Sequence, residues 1–428
     1  LKNEKIEDSY LKIRSKDKRL IANGDLFGGM FSFKSEIGFQ KDIENNSFFE
    51  GVINIGDIKD VLSIISVHNS KSEDVEGNFF GQVNSKFNIF KLNKMTTNVK
   101  IESLRLSKGD VDFSLNKLPS SIVVEKGLIR KWNLSLKGGD NYIRTVGKGD
   151  LNKIFKIENF FKLGADWTEI LSSDIKMDSG TIEGRYVLFN DGKQIRADLD
   201  LKGNDINFNI ETIPGNFENL NFIILGENKD FLIQQFYLRY GKGDIKLEGN
   251  VKGNLPFPLL DLRYDISNSN VYFLENSNMV FSGKGKIKGQ DLPYIIDGDF
   301  LVFGGKILDS LSKFEGKESK EAQYSQYLPK FKFKKASNLV DVRANFDIIN
   351  PLIIKNNFSN LSFDGRILAF GNMNEPLFRG KLNLIPRVSR FIFKGNEFIL
   401  TDGFVSFNDE FRRKPPELKF TGESVVGE

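Results

Sequence analysis

The sequence predicts an all-β protein: one long antiparallel sheet, curved and folded lengthwise into a groove (β-taco-like), with a few short amphipathic helices. Three observations predict it. Apolar and polar residues alternate at period two, the mark of a strand with one buried and one wet face. Glycine, asparagine and aspartate punctuate the runs as turn residues do. Phenylalanine is abundant, with 40 copies against 10 Tyr and 2 Trp. A ring without a polar handle needs a dry place to lie.

The alternation is plainest in Ile195-Arg-Ala-Asp-Leu-Asp-Leu201, Ile206-Asn-Phe-Asn-Ile210 and Ile245-Lys-Leu-Glu-Gly-Asn-Val251. It continues in Val342-Arg-Ala-Asn-Phe-Asp-Ile348, Leu361-Ser-Phe-Asp-Gly-Arg-Ile367 and Phe378-Arg-Gly-Lys-Leu-Asn-Leu384. In each, one parity is apolar or glycine and the other is charged or polar. Parity therefore assigns an inner face. From the first three runs and the strand at residue 287 it takes Leu199, Leu201, Phe208, Ile245, Leu247, Val251 and Ile287. From the later runs it takes Val342, Phe346, Ile348, Phe363, Ile367, Phe378, Leu382 and Leu384, then Phe398 and Phe407. Gly249, Gly365 and Gly380 stand at apolar-parity positions, where glycine permits a sharp bend. Asn190-Asp191-Gly192 is the clearest hairpin signal. One-sided strands fit a single sheet with its apolar face turned inward better than a sandwich. About 25 strands at about 4.8 Å would make it on the order of 120 Å long.

Three segments depart from the alternation. Residues 151–173 and 306–328 are apolar at spacings nearer three and four, and 58–67 does so more weakly; all are predicted amphipathic helices. They would cap the sheet, contact a membrane or gate a groove.

Composition excludes several functions. Sixty-one Lys and Arg against 57 Asp and Glu give +4, with no basic block for nucleic acid. Cysteine is absent, so there is neither disulfide nor thiolate metal site. The single histidine, His68, lies in a polar Ser-Val-His-Asn-Ser stretch and has no second histidine for a metal or a triad. Glu73-Asp74 and Asp409-Glu410 lack calcium-loop spacing, and Gly147-Lys-Gly149 and Gly283-Lys-Gly285 do not extend to a phosphate loop. No enzyme, cofactor or metal is expected. No run of about 18 apolar residues could span a bilayer. The start at Leu1 reads as part of a longer chain, whose membrane anchor would lie outside it.

The last ninety or so residues carry an ordered set of motifs. It runs from Leu339-Val-Asp-Val-Arg-Ala-Asn-Phe346 through Pro351-Leu-Ile-Ile354, the Gly365 and Gly371 strand, and Asn374-Glu-Pro-Leu-Phe-Arg-Gly-Lys-Leu382. Phe391 to Phe407 follows, and Pro416-Glu-Leu-Lys-Phe420 closes the set. This order resembles the C-terminal domain of the TamB family, the translocation and assembly module proteins of Gram-negative bacteria. Gly365, Gly371, Pro376, Gly380, Phe398, Gly403, Phe407 and Pro416 fall at the family's positions, and strands upstream to about residue 175 are similar. The family's terminal partner-engaging segment has no counterpart before Glu428.

The resemblance implies an AsmA-like bridge lipid-transfer protein, anchored in the inner membrane and lying in the periplasm. Its cargo would be phospholipid, moved between the inner and outer membranes. It also implies association with an outer-membrane barrel of the TamA/BamA type, and hence the alternative of a scaffold or chaperone for β-barrel assembly or secretion. The chain would divide into an N-terminal β-rich part of the groove (1–150), a β-groove with short helices (151–335) and a truncated TamB-like C-terminal domain (336–428). An adhesin passenger would need a constant repeat, and none is evident. A membrane β-barrel would need an apolar outer band and strands closing on themselves, which the alternation alone does not exclude but to which the resemblance does not point.

Overall fold

The computed structural model describes residues 9–58, 75–108, 111–116, 119–165, 175–210, 213–253, 258–274, 277–290, 292–308, 340–356, 358–373, 377–393, 396–407 and 416–424. They form 25 strands joined as one mixed sheet, and they divide into two compact units. Among the described residues the one complete helical element is a 3-10 turn at Leu92–Lys94, and Ile58 and Ala165 are helical as single positions.

The first unit takes residues 1–206 and 225–228. It opens with β1 (Tyr10–Lys16), β2 (Arg19–Leu26), β3 (Phe31–Gly38), β4 (Ser47–Ile55) and β5 (Val75–Phe87), each antiparallel to the next. Then come β6 (Thr96–Lys108), β7 (Val111–Leu115), β8 (Ser120–Glu125) and β9 (Leu128–Gly138). Strand β6 is long enough to pair with β7 along one half and β8 along the other, and β9 receives both. Pro119, with no N–H to give a ladder, stands in the break between β7 and β8. Next are β10 (Asn141–Asp150), β11 (Ile154–Gly164) and β12 (Ile175–Asp191). Two clusters bury the apolar parity here. One centres on Ile101, Phe113, Leu115 and Leu136, the other on Val124, Ile129 and Phe155.

β13 (Ile195–Ile210) and β14 (Ile213–Glu227) contribute residues to both units. The chain turns into β13 where Asn190-Asp191-Gly192 predicts a hairpin loop: the Asp191 carboxylate accepts the N–H groups of Lys193 and Gln194, and Gly192 takes a positive φ of 92°.

The second unit takes residues 207–224 and 229–428. Its strands are β15 (Asp230–Tyr240), β16 (Gly243–Lys252), β17 (Leu259–Leu274), β18 (Ser277–Gly289), β19 (Tyr294–Leu308) and β20 (Val340–Lys355). They are followed by β21 (Ser359–Asn372), β22 (Leu377–Leu384), β23 (Arg390–Phe393), β24 (Asn396–Phe407) and β25 (Glu417–Glu423). Neighbours are antiparallel except β19 and β20, which run parallel from Tyr294↔Val340 to Leu308↔Lys355. The sheet is therefore mixed, where the sequence predicts antiparallel pairing throughout. Alternation reports which face a strand buries, and it is the same for either direction of pairing.

The helices predicted at 151–173 and 306–328 are corrected where they are described. Residues 154–164 are strand β11, hydrogen-bonded to β10 on one edge and β12 on the other. Phe160 and Phe161 face opposite sides of it, which breaks the simple alternation and mimics helical spacing. Each is covered: Arg185 lies over the Phe160 ring at 5.8 Å, and the Phe161 ring fills the space left by Gly184. Residues 306–308 end strand β19. The rest of the three segments, at 59–67, 166–173 and 309–328, lies outside the described residues, as do His68, Glu73-Asp74 and Asp409-Glu410.

Candidate functional site

The strand registers of the second unit place the predicted inner-face residues in rows that run across the strands. One row reads Ile245, Ile266, Gly283, Phe300, Phe346, Ile367, Gly380 and Phe407 from β16 to β24. The next reads Leu247, Tyr264, Gly285, Gly298, Ala344, Ala369 and Phe378. Alongside it run Leu262, Ile287, Ile296, Val342 and Gly371. Every position in these rows is apolar or glycine, apart from the phenol of Tyr264. That is the consequence of period two carried through matched registers.

Glycine in these rows is covered in two ways. The Tyr264 ring lies across Gly285 and Gly298, where an added Cβ would come within 2.3 Å of its hydroxyl at either position. Phe300 covers Gly283 in the same manner. At Gly365 and Gly380 the backbone itself requires glycine, with φ of 132° and 133° and a facing carbonyl 2.3 Å from the place of a Cβ.

Aromatic rings then link the rows. Phe300 stacks on Phe346 at 5.1 Å and on Tyr264 at 6.2 Å, and Phe281 meets Phe300 edge-on at 5.6 Å. A second ladder runs Phe208, Phe217 and Tyr240, with centroids 4.8 and 4.7 Å apart. The Tyr264 hydroxyl donates to the Asp297 carbonyl at 3.1 Å. Burial, with the nearby Asp297 and Asp299 carboxylates, pushes its pKa up to about 12, so the phenol is neutral on this face.

Burial divides the predicted residues. Ile348, Phe363, Leu382 and Leu384 are buried in one cluster with Val302, Leu400 and Val405, against which Phe346, Ile367, Phe398 and Phe407 pack. These four form a closed core. Leu247, Ile287, Val342 and Phe346 are half-buried around Tyr264, Phe300 and Ala344, and Phe208 and Ile245 pack around Phe217. Val251 is half-buried opposite Leu260, and Phe378 meets Phe407 at 6.0 Å. Leu199 and Leu201 are half-buried on β13, in the first unit.

Several residues of the face are not among those assigned from the sequence, among them Tyr264, Phe300, Val302 and Ala344. Tyr264 alternates with Leu260, Leu262 and Ile266, and that signal would have found it. Phe300-Leu-Val-Phe303 is apolar on both parities, so only the register separates buried Phe300 and Val302 from exposed Leu301.

The opposite face is a charge ladder. Lys246, Asp265, Lys284, Asp299 and Asn345 stand in register, with Lys284 2.9 Å from Asp265 and Asn345 2.7 Å from Asp299. Glu248, Arg263, Lys286, Asp297 and Arg343 form the adjacent row. Exposed pairs of this kind contribute about 0–1 kcal/mol each; their larger effect is to keep this face wet. The site therefore has one face that can hold apolar matter and one that repels it. Among the described residues no group of three or more His, Cys, Asp or Glu could hold a metal ion.

A scan against protein-family models and searches of curated proteins and of solved structures return no match to this chain.

Proposed function

We propose that this chain carries phospholipid acyl chains along the apolar sheet face, as part of a periplasmic lipid-transfer protein working between the inner and outer membranes. The observation that carries the reading is the set of apolar rows from β16 to β24, in which Leu247, Ile266, Ile287, Ile296, Val342 and Phe346 are only half-buried although Tyr264, Phe300 and Ala344 between them are buried. The motif order of residues 339–420, with its TamB resemblance, supports it independently. In this reading the sheet is folded lengthwise, so that the rows line a groove and the charge ladder faces water.

The physics suits a moving cargo. Each acyl CH₂ exposed to water costs about 0.8 kcal/mol, which a continuous apolar surface removes. Rows of similar side chains offer many weak, equivalent positions, so the lipid slides without a deep minimum. No polar constellation is required, because the headgroup stays in water.

Half-buried positions are the ones to test, since charging the buried Leu382 would measure core stability instead. Val342→Asp and Phe346→Asp place a carboxylate among the rows. Transfer of fluorescent phospholipid between vesicles should fall at least about tenfold, as a charge moved against acyl chains costs several kcal/mol, while the protein stays folded by circular dichroism. Transfer at the wild-type rate in both folded variants would show that the face is only structural.

A further inference from the structure

We infer that the loop between β22 and β23, with the β20–β21 turn beside it, is a membrane-seating surface that fits a bilayer containing anionic lipid. Val388, Phe358 and Ile392 are exposed at 55%, 48% and 42%, and Phe391 at 39%. The Ile392 N–H donates to the Phe358 carbonyl at 2.6 Å and Phe391 pairs with Ser359, which ties β23 to the β20–β21 turn; the Phe391 and Ile392 side chains leave the strand on alternate sides. Lys355, Arg387 and Arg390 are exposed among them. Across residues 355–360, 385–392 and 396–399, the described positions carry these three cations and a single carboxylate, Glu397, which Arg390 meets at 3.0 Å. Exposed apolar side chains interleaved with long cationic ones are what an anionic interface accommodates, the apolar parts entering and the charged heads rising to the phosphates.

Polar backbone groups cannot enter hydrocarbon unpaired, and those at the base of this loop are paired internally. The Ile385 N–H donates to the Ser362 carbonyl, and the Arg387 N–H to Leu400. The Leu400 N–H donates back to the Ser389 carbonyl. Ser389 is fully buried; its hydroxyl accepts the Ser362 N–H and donates to the Ile385 carbonyl, each at 3.0 Å. Arg387 takes a left-handed turn at φ 67° that carries the chain around this pin. The loop is thus rigid at its base and apolar at its tip, a combination that water alone does not call for.

The surface does not depend on lipid carriage, and the two are separable by experiment. The 428-residue chain is sedimented with phosphatidylcholine vesicles with and without phosphatidylglycerol. Binding is expected to require phosphatidylglycerol and to weaken with salt. Arg387→Gln with Arg390→Gln should weaken it about thirtyfold, at about fivefold per arginine near an anionic surface. Val388→Ser with Ile392→Ser should abolish it with the circular dichroism spectrum unchanged, and Phe346→Asp should leave it intact. No binding to phosphatidylglycerol vesicles, or equal binding by wild type and both double variants, overturns the inference. So does a loss of self-association in the variants with no vesicle binding by the wild type.

Discussion

At the scale of single residues, Tyr264 does more than its exposure suggests. Its ring covers two glycines, its hydroxyl satisfies a carbonyl, and its neutrality keeps charge off the apolar rows. Tyr264→Ala should cost about 3–5 kcal/mol, the range for deleting a buried aromatic ring, while Tyr264→Phe should cost about 1 kcal/mol for the lost hydrogen bond; urea unfolding measures both. Its raised pKa also fixes a pH dependence. The neutral phenol's contribution to stability is intact below the unfolded value of 10.0 and is lost as pH rises from there towards about 12. Tyr264→Phe should therefore flatten the loss of stability in that window and remove a late phase from the tyrosinate absorbance titration. A late phase unchanged by the substitution would contradict the assignment. The residue was legible by parity; its place across two glycines was not, because that depends on partners from separate strands.

At the scale of elements, glycine explains where alternation is read wrongly and where it is read well. Gly365 and Gly380 were legible as special positions because glycine interrupts an otherwise apolar parity. Gly365→Ala should destabilise by about 1–3 kcal/mol, since it forces a side chain into left-handed backbone against a carbonyl. Gly56→Ala, in open space with ordinary backbone, should change stability by no more than about 0.5 kcal/mol. Equal urea midpoints for the two variants would contradict this account of the sheet. Strand β11 was not legible, because apolar residues on both its faces are sheltered by Arg185 and Gly184 from another strand. The parallel pairing of β19 with β20 was hidden for a related reason: period two fixes the face of a strand but not the direction of its neighbour.

At the scale of the whole molecule, the sequence carries a consistent division of labour. One parity gathers aromatic and aliphatic residues, and the other gathers lysines, arginines and carboxylates that neutralise one another across strands. This much could be read from residues 195–201, 206–210, 245–251, 342–348, 361–367 and 378–384 alone, since their alternation is strict. Which of the apolar residues are sealed in a core and which remain half-open could not be read, because burial at Leu382 or Phe363 depends on packing against Val302, Leu400 and Val405. The half-open residues are those on which the proposed lipid carriage rests. Photo-crosslinking in cells tests that claim most directly, with a photoreactive amino acid placed at Phe346 or Leu247 and, for the other face, at Arg343 or Lys246. The account predicts phospholipid adducts from 346 and 247 and none from 343 and 246. Adducts from 343 and 246 with none from 346 and 247 would contradict it.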